Sequence, residues 1–325
     1  MAPAPKKIHL TSRTYLKNWA IKDKVTWTDV ETGAAASRDI ENVGFRRRWW
    51  GTDPDLSRAA EAALRSIEND VTAFLRDPRS HWPVGELRGK LAQFVAIHVV
   101  RTLAWRAWFE RAVFSTVAEN IEQLPLLDRA FIHSGHDMVQ PEVHTEYVFR
   151  QMTRLASLFA SMHWTLVKFD GPLLATSDQP VTPVPMSVAT GRAPMRSIPE
   201  GSFAEIVEFR MPMSPDIALV GSWRDDYDEP HIRRGSLGDA CSLNASTIKQ
   251  AERGWCRQPG TYAPRLAPPL LQPISYPLSP QLFPEMTPAS IKASTRRRNT
   301  DRLLRELAAE DRDDVMRWCQ PTRAA

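Results

Sequence analysis

The sequence predicts an α+β fold, in which a helical half is built around a long buried central helix and packs on a small antiparallel sheet. In the first half of the chain, apolar side chains recur every three to four residues within 56–76, 86–114 and 142–162. After His163 the pattern changes to short alternating segments that are separated by Gly and Pro. Helices followed by strands, without regular alternation of the two, are typical of this class.

The helical elements follow from local signals. Asp53 or Asp55 can cap a helix that runs from Leu56 to Arg76, because Pro54 suits a first helical turn. Residues Glu86–Phe114 are expected to form the central helix, which is apolar on every face between Val95 and Trp105 and is therefore buried. A third helix is expected over 142–162.

The expected strands alternate with turn residues. A hairpin over 25–37 surrounds the Thr32-Gly33 turn, and two strands, 164–169 and 173–176, are expected to pair across Asp170-Gly171-Pro172. Two further strands are predicted over 203–213 and 217–223. Asn244 is expected to cap a helix that ends near Cys256.

The domain boundaries follow from composition. Residues 1–258 are predicted to form one α+β domain, with a helical part over 53–162 and a mainly β part over 163–258. Nine prolines between Pro259 and Pro288 preclude regular structure, which defines a Pro-rich segment over 259–290. A charged helix and tail are expected over 291–325.

Composition limits the class of protein. The chain has 325 residues, a net charge of +4 and a sequence pI near 9.0, which permits an anionic partner without requiring one. The three cysteines form no CxxC pair, no signal peptide begins the chain, and no apolar run approaches the roughly 18 residues of a membrane span. We therefore expect a cytoplasmic protein that has no membrane partner.

The candidate site is a polar cluster on and around apolar helix faces. Hydrolysis needs a carboxylate, a proton-transfer group and a cation that stabilises developing negative charge. The catalytic candidates are Glu68, Arg101, Asp178 and His9; the ligand-binding candidates are His98, Ser177 and Asn244.

The alternatives are structural: Arg101 can pair with a carboxylate in the core, and His98 can be a fully hydrogen-bonded core histidine. Asp178 can likewise form a turn with its own backbone, and Asn244 can be a plain cap.

A basic-aromatic run gives a second hypothesis. Residues Arg46–Trp50 could clamp nucleic acid, with Arg47 binding phosphate and Trp49 stacking on a base, and Arg296–Arg298 would add a second patch. Alternatively, the arginines form a solvated face and the tryptophans fill the core. His133 and His136 lack the partners of a metal site, and no nucleotide or dinucleotide motif appears, so the sequence names no metal and no cofactor.

Three segments in order resemble the uncharacterised family known as domain of unknown function 4238. The first, Ile8–Trp19, is similar to His-His-x-x-Pro-x-x-Tyr-Leu-Arg-Asn-Phe, with Ile8 and Ser12 in place of the first His and the Pro. The second is Thr176-Ser177-Asp178-Gln179-Pro180, and the third is Met211–Pro215, followed by the helix with Asn244. The resemblance spans residues 8–256, supports the architecture and implies no activity.

Two functional hypotheses follow. In the first, the protein is a hydrolase or nuclease in which Glu68 or Asp178 is the general base and Arg101 binds an anionic group. In the second, it is a non-catalytic nucleic-acid-binding or effector protein that uses the basic-aromatic patches. Neither rests on a diagnostic motif.

Overall fold

The computed structural model describes residues 7–47, 49–51, 53–78, 82–106, 109, 141–185, 206–223 and 231–261, and these form an α+β fold as predicted. Most of the Pro-rich segment, the C-terminal helix, Arg296–Arg298 and the loop with His133 and His136 lie outside the described residues.

The helices begin where side chains can cap them. Helix α1 (Arg13–Leu16) begins after Ser12, whose hydroxyl accepts from Tyr15 N, and helix α2 (Pro54–Arg76) begins after Asp53, whose carboxylate accepts from the N–H groups of Asp55 and Leu56. The apolar stripe of α2 faces the core, as its periodicity predicts.

The central helix is shorter than predicted. Helix α3 (Gly85–Val100) ends at Arg101, and the chain is helical again over 103–106. Thr102 causes the break, because its hydroxyl donates to Val99 O and accepts from Trp105 N, which starts a new helical turn. From Leu91 to Val100, α3 is buried except at Gln93, and it packs on α2 and on helix α4 (Pro141–Ser161).

The larger sheet has five strands: β5 (His163–Lys168), β7 (Thr182–Pro185), β8 (Ile206–Ser214), β9 (Ile217–Ser222) and β10 (His231–Arg234). Their order is β10-β5-β9-β8-β7. The sheet is mixed, since β10 runs parallel to β5 while the other pairs are antiparallel. The β8–β9 hairpin confirms two predicted strands.

Two smaller antiparallel sheets complete the fold. One has the order β3 (Ala35–Asp39), β2 (Lys24–Asp29), β11 (Gly254–Arg257), β6 (Thr176–Ser177), and the other pairs β1 (Lys7–His9) with β4 (Phe45–Arg47). The predicted β2–β3 hairpin is present, with Gly33 in its turn at a φ of 67°.

Two predictions for the β half were wrong. Residues 173–176 do not pair with β5, whose neighbours are β9 and β10; they lead instead into β6 of the four-stranded sheet. Helix α5 (Leu237–Gln250) is capped by Ser236, which forms a capping box with Asp239, so Asn244 lies inside the helix. Both errors arise because strand partners and buried side-chain contacts are decided by distant segments.

The core is continuous and rich in aromatic side chains. Its largest buried members include Trp19, Trp50, Trp105 and Trp164. Within the described ranges, no helix is both long and apolar enough to cross a membrane.

Candidate functional site

A cleft of about 590 Å³ opens between α2, the β1–α1 segment and the end of α3. Charged side chains dominate its lining. The cations are Lys7, Arg13, Lys17, Arg65 and Arg101. The carboxylates are Glu41, Glu61 and Glu68. His9 also lines the cleft, so it contains three of the four predicted catalytic residues.

Arg101 lies at the base of this cleft, with only 2% of its side chain exposed. Its Nε donates to the carbonyl of Leu10 at 3.0 Å, and its Nη2 lies 3.5 Å from Glu68 Oε1. Within the described part of the chain, Nη1 makes no hydrogen bond. The end of α3 at Val100 places Arg101 on a turn, and the Leu10 carbonyl then fixes its guanidinium.

Glu68 is only loosely engaged. Its side chain is 19% exposed, and the 3.5 Å contact with Arg101 is at the outer limit for a hydrogen bond. The carboxylate partner that the structural alternative gave Arg101 is therefore Glu68, but this contact leaves most of the hydrogen-bonding capacity of the carboxylate unused. The carboxylate can accept a further donor from the cleft.

His9 lies on β1, half-buried, with its ring 6.2 Å from that of Phe45. Burial lowers the pKa of His9 to about 4, and the positive charges of Arg13, Arg101 and Lys7 act in the same direction. A hydrogen bond to the Glu41 backbone opposes them. Because its pKa is well below 7, His9 is neutral near pH 7. Its Nε2 is buried and has no hydrogen-bond partner.

His98 is a structural residue, as the alternative interpretation held. Its Nδ1 bonds to Phe94 O at 2.8 Å, and its Nε2 accepts from the backbone N–H of Ser12 at 3.2 Å. Burial, followed by the charge of Arg101, lowers its pKa to about 3, so the ring is neutral. With both nitrogens occupied and no exposed surface, His98 has no atom left for a ligand.

Asp178 connects two distant segments instead of joining the cleft. Its two carboxylate oxygens accept the backbone N–H groups of Glu252 and Arg253, at 3.1 and 2.8 Å. Burial raises the pKa of Asp178 to about 6, although these two hydrogen bonds act in the opposite direction. It lines a separate cavity of about 220 Å³, so the structure does not bring it together with Glu68 and Arg101 in one cavity.

Ser177 and Asn244 also have structural contacts. The Ser177 hydroxyl donates to Gln179 O and accepts from Gln179 N, which forms a local turn. Asn244 Oδ1 accepts from Ala175 N, and its Nδ2 donates to Leu173 O, both at 2.8 Å. Asn244 thus holds the segment before β6, and neither Ser177 nor Asn244 lines the cleft that His9, Glu68 and Arg101 share.

The basic-aromatic run divides between surface and core. Arg47 is exposed on β4, whereas Trp49 and Trp50 are 3% and 0% exposed. The Trp49 ring packs edge-on against those of Trp50 and His144. Trp49 therefore presents no ring face to a base, and the alternative interpretation, that these tryptophans fill the core, describes their position.

The three segments of the family resemblance meet around Tyr15. Its hydroxyl bonds to Thr176 Oγ1 at 2.6 Å and donates to the carbonyl of Pro212. Asn18 Nδ2 donates to Leu75 O and Met213 O, at 2.7 and 3.0 Å. These motifs therefore hold helices and strands together, and four residues of the first motif also line the cleft: His9, Arg13, Thr14 and Lys17.

Sequence reasoning missed much of the cleft lining. Glu61 and Arg65 lie seven and three residues before Glu68 on α2, along the edge of its apolar stripe, so helical spacing could have found them. No local sequence pattern indicates that the segments containing Lys7, Arg13 and Glu41 pack beside α2. Within the described residues, no group of three or more His, Cys, Asp or Glu side chains could hold a metal ion.

Comparison with known proteins identifies the family. The model of the family described as Protein of unknown function (DUF4238) matches residues 7–255, so the chain belongs to this family and the predicted resemblance is confirmed. No curated protein and no solved structure matches the chain.

Proposed function

We propose that this DUF4238 protein is a hydrolase that binds an anionic substrate in the cleft between α2 and the β1–α1 segment. In this proposal Glu68 is the general base and Arg101 binds the anionic group. The observation that carries it is the loose contact between these two residues, at 3.5 Å, at the base of a cleft of about 590 Å³.

Glu68 meets the requirements of a general base. It is a partly exposed carboxylate on a rigid helix, and its contact with Arg101 is long enough to leave both oxygens able to accept a proton. A carboxylate in this setting can remove a proton from a water molecule that attacks a bound substrate. Asp178, the other base that the sequence suggested, has both oxygens occupied by backbone N–H groups, which favours Glu68.

Arg101 is suited to hold an anion. The Leu10 carbonyl fixes its guanidinium through Nε, and its remaining N–H groups are available for a planar, two-pronged contact with a carboxylate or phosphate. Low exposure strengthens such a contact, because little water competes for the charge. A buried guanidinium that keeps spare donors differs in this respect from a purely structural ion pair.

We also place the enzyme in the cytoplasm, on the ground that Cys241 and Cys256 are free thiols. Nucleic acid is the less favoured partner, because the one base-stacking contact that the sequence suggested requires Trp49, which is buried.

The test combines substrate profiling with a matched pair of variants. Purified protein is assayed against carboxylate esters, phosphate monoesters and phosphate diesters, first as wild type and then as Glu68→Gln and Glu146→Gln. Glu146 is an exposed helical carboxylate that is paired with Arg150, so it controls for the loss of one charge.

We expect wild type and Glu146→Gln to hydrolyse one substrate class equally well. Glu68→Gln should fold and lose about 10²- to 10⁴-fold in rate, the usual effect of removing a general base. Full activity in Glu68→Gln, or no hydrolysis of any class by folded wild type, would refute the proposal. Salt-dependent binding of short oligonucleotides by the inactive protein would instead favour the nucleic-acid hypothesis.

A further inference from the structure

A second cavity, of about 220 Å³, lies beside the four-stranded sheet. Its apolar lining consists of Leu10, Trp27, Val43, Phe45 and Leu103. Among the described residues, none lines both this cavity and the cleft. The two cavities are therefore separate candidate sites.

Trp27 and Phe45 give this cavity an aromatic surface that solvent can reach. Both side chains are only partly buried. The Trp27 ring lies so close to Gly254 on β11 that a Cβ atom at that position would be 2.2 Å from Cζ2 of the ring. Only glycine permits this approach, and it allows the ring to lie against the sheet beside the cavity.

Two arginines lie next to this aromatic surface. In the β2–β3 register Arg38 is opposite Val25, two residues before Trp27, so the side chains of Arg38 and Trp27 lie on the same face of the sheet. Arg253 is close to Phe45, since its Nη1 donates to the carbonyl of Phe45 at 3.3 Å. Both arginines line the cavity and are exposed.

These arginines have donors that the fold does not use. In the part of the chain that the structure describes, the Arg38 side chain makes no hydrogen bond or ion pair, and the Arg253 guanidinium makes one hydrogen bond, to Phe45. A guanidinium has five N–H donors, and it can bind a carboxylate or a phosphate through two of them.

The two carboxylates that line the cavity are held by the fold. Asp178 accepts the backbone N–H groups of Glu252 and Arg253. Oδ1 of Asp29 accepts both the N–H and the hydroxyl of Thr32, each at 2.9 Å. The unused hydrogen-bonding groups are therefore mainly the donors of the two arginines, which favours an anionic ligand over a cationic one.

We propose that this cavity is a second ligand site and that it takes a small aromatic anion. The ring of the ligand packs against Trp27 and Phe45, and Arg38 and Arg253 bind its carboxylate or phosphate group at the exposed rim. The volume suits one ring system: it exceeds the roughly 150 Å³ of a cavity that holds benzene, and it is below the roughly 300 Å³ at which pockets for drug-sized molecules begin.

The test is calorimetric titration of the full chain with matched ligands. AMP and GMP represent nucleotides, whereas indole-3-acetate and benzoate represent aromatic acids. Adenosine and indole are aromatic but neutral, and inorganic phosphate and acetate are anions without a ring. Each titration uses wild type and Glu68→Gln, so that turnover in the cleft adds no heat in the second protein.

The variants are Arg38→Gln, Trp27→Leu and the control Arg150→Gln. Arg38 is exposed on the edge strand β3, so its substitution should leave the fold intact. Arg150 is an exposed arginine on α4 that does not line the cavity. Melting temperatures verify folding, and Arg38→Gln alone decides the outcome if Trp27→Leu does not fold.

We expect at least one aromatic anion to bind wild type and Glu68→Gln with the same affinity. Arg38→Gln should weaken this binding by about tenfold or more, the effect of losing a hydrogen bond to a charged group, whereas Arg150→Gln should change it by less than about twofold. Trp27→Leu should also weaken it by about tenfold, through loss of ring stacking. Phosphate or acetate that binds in the cleft should be insensitive to Arg38→Gln.

The inference is overturned if no aromatic anion binds, if the neutral analogues bind as tightly as the anions, or if Arg38→Gln and Arg150→Gln have equal effects. Binding of nucleotides alone, or of aromatic acids alone, supports the inference and identifies the source of the ligand. Because none of these outcomes depends on hydrolysis, the hydrolase function can fail while the second ligand site stands.

Discussion

The cleft and the Asp178 region contain the same kinds of residue and use them differently. In the Asp178 region, both carboxylate oxygens have backbone donors, and both amide atoms of Asn244 are bonded at 2.8 Å. In the cleft, Glu68 has one contact of 3.5 Å and His9 has a nitrogen without a partner. Residue type therefore does not distinguish Glu68 from Asp178, whereas the number of hydrogen bonds that each carboxylate accepts does.

The largest expected difference between the two regions concerns turnover. Glu68→Gln should reduce kcat by about 10²- to 10⁴-fold and keep the melting temperature close to that of wild type. Asp178→Asn should lower the melting temperature but change kcat per folded molecule less than about tenfold, because its carboxylate serves the fold. Steady-state kinetics on protein whose folded fraction is known measures kcat for both variants, and thermal melts give their melting temperatures. Equal losses of kcat would mean that the two regions form one site.

The second prediction concerns stability. Asp178→Ala leaves two backbone N–H groups, those of Glu252 and Arg253, without acceptors, at about 1–3 kcal/mol each. Urea unfolding should show a loss of roughly 2–6 kcal/mol. Asp170→Ala is the control, because this carboxylate is 71% exposed in an ion pair with Arg234 and should cost less than about 1 kcal/mol. Similar losses in the two variants would contradict the assigned role of Asp178.

The third prediction uses the bridging amide of Asn244. Asn244→Ala should destabilise the protein by about 1–3 kcal/mol, because Ala175 N and Leu173 O lose their partners. Asn244→Asp keeps the acceptor and loses the donor, but a protonated carboxyl group can donate to Leu173 O. The stability of this variant relative to wild type should therefore improve as the pH falls from 7 to 5. No such recovery in thermal melts would mean that the Nδ2 contact is unimportant.

The last prediction is a pH dependence of stability caused by His98. Its folded-state pKa, about 3, is below the ordinary value of 6.5, so the unfolded chain binds this proton more tightly. The contribution of neutral His98 to stability is complete above pH 6.5 and declines as the pH falls towards 3. Each pH unit in that window costs at most about 1.4 kcal/mol.

Other titratable groups also contribute to the pH dependence of stability. The lowered pKa values of His9 and His144, about 4 and about 3, act in the same direction as His98. Protonation of Asp178 acts in the opposite direction: because its pKa is raised to about 6, the stabilisation that comes from this proton is complete below pH 3.8 and is lost as the pH rises through 6. His98→Gln, which can donate and accept in the same place, should flatten the loss of melting temperature between pH 7 and 5.

Local signals explain which elements could be predicted. Helix α2 was predicted almost to the residue, because its cap at Asp53, its Pro54 and its apolar stripe all lie within the segment. The β2–β3 hairpin was also predicted, because a short loop joins its strands, and β8 and β9 were predicted as strands without their pairing. The break after Val100 was missed, because an apolar helical period continues through it and only the Thr102 hydroxyl opposes it.

The residues of the candidate site also divide into those that local patterns predicted correctly and those that they did not. Glu68 and Arg101 were predicted from residue type beside apolar helix faces and His9 from residue type alone, and all three line one cleft. Asp178, Ser177, His98 and Asn244 were predicted with them, but each is satisfied by the fold. Their partners are the backbone groups of other segments, and no residue pattern encodes which carbonyl or N–H group will lie beside a given side chain.

Local sequence patterns were sufficient to establish the α+β class, the family, the bounds of the long helices other than the central one, and the residue types of the candidate site. These depend on periodicity, capping and motif order, which are properties of neighbouring residues. The tertiary structure alone decided the partner of each strand and which polar side chains kept a free atom. Those outcomes depend on contacts between segments such as Ser12 with His98, or Asp178 with Glu252, that are 86 and 74 residues apart.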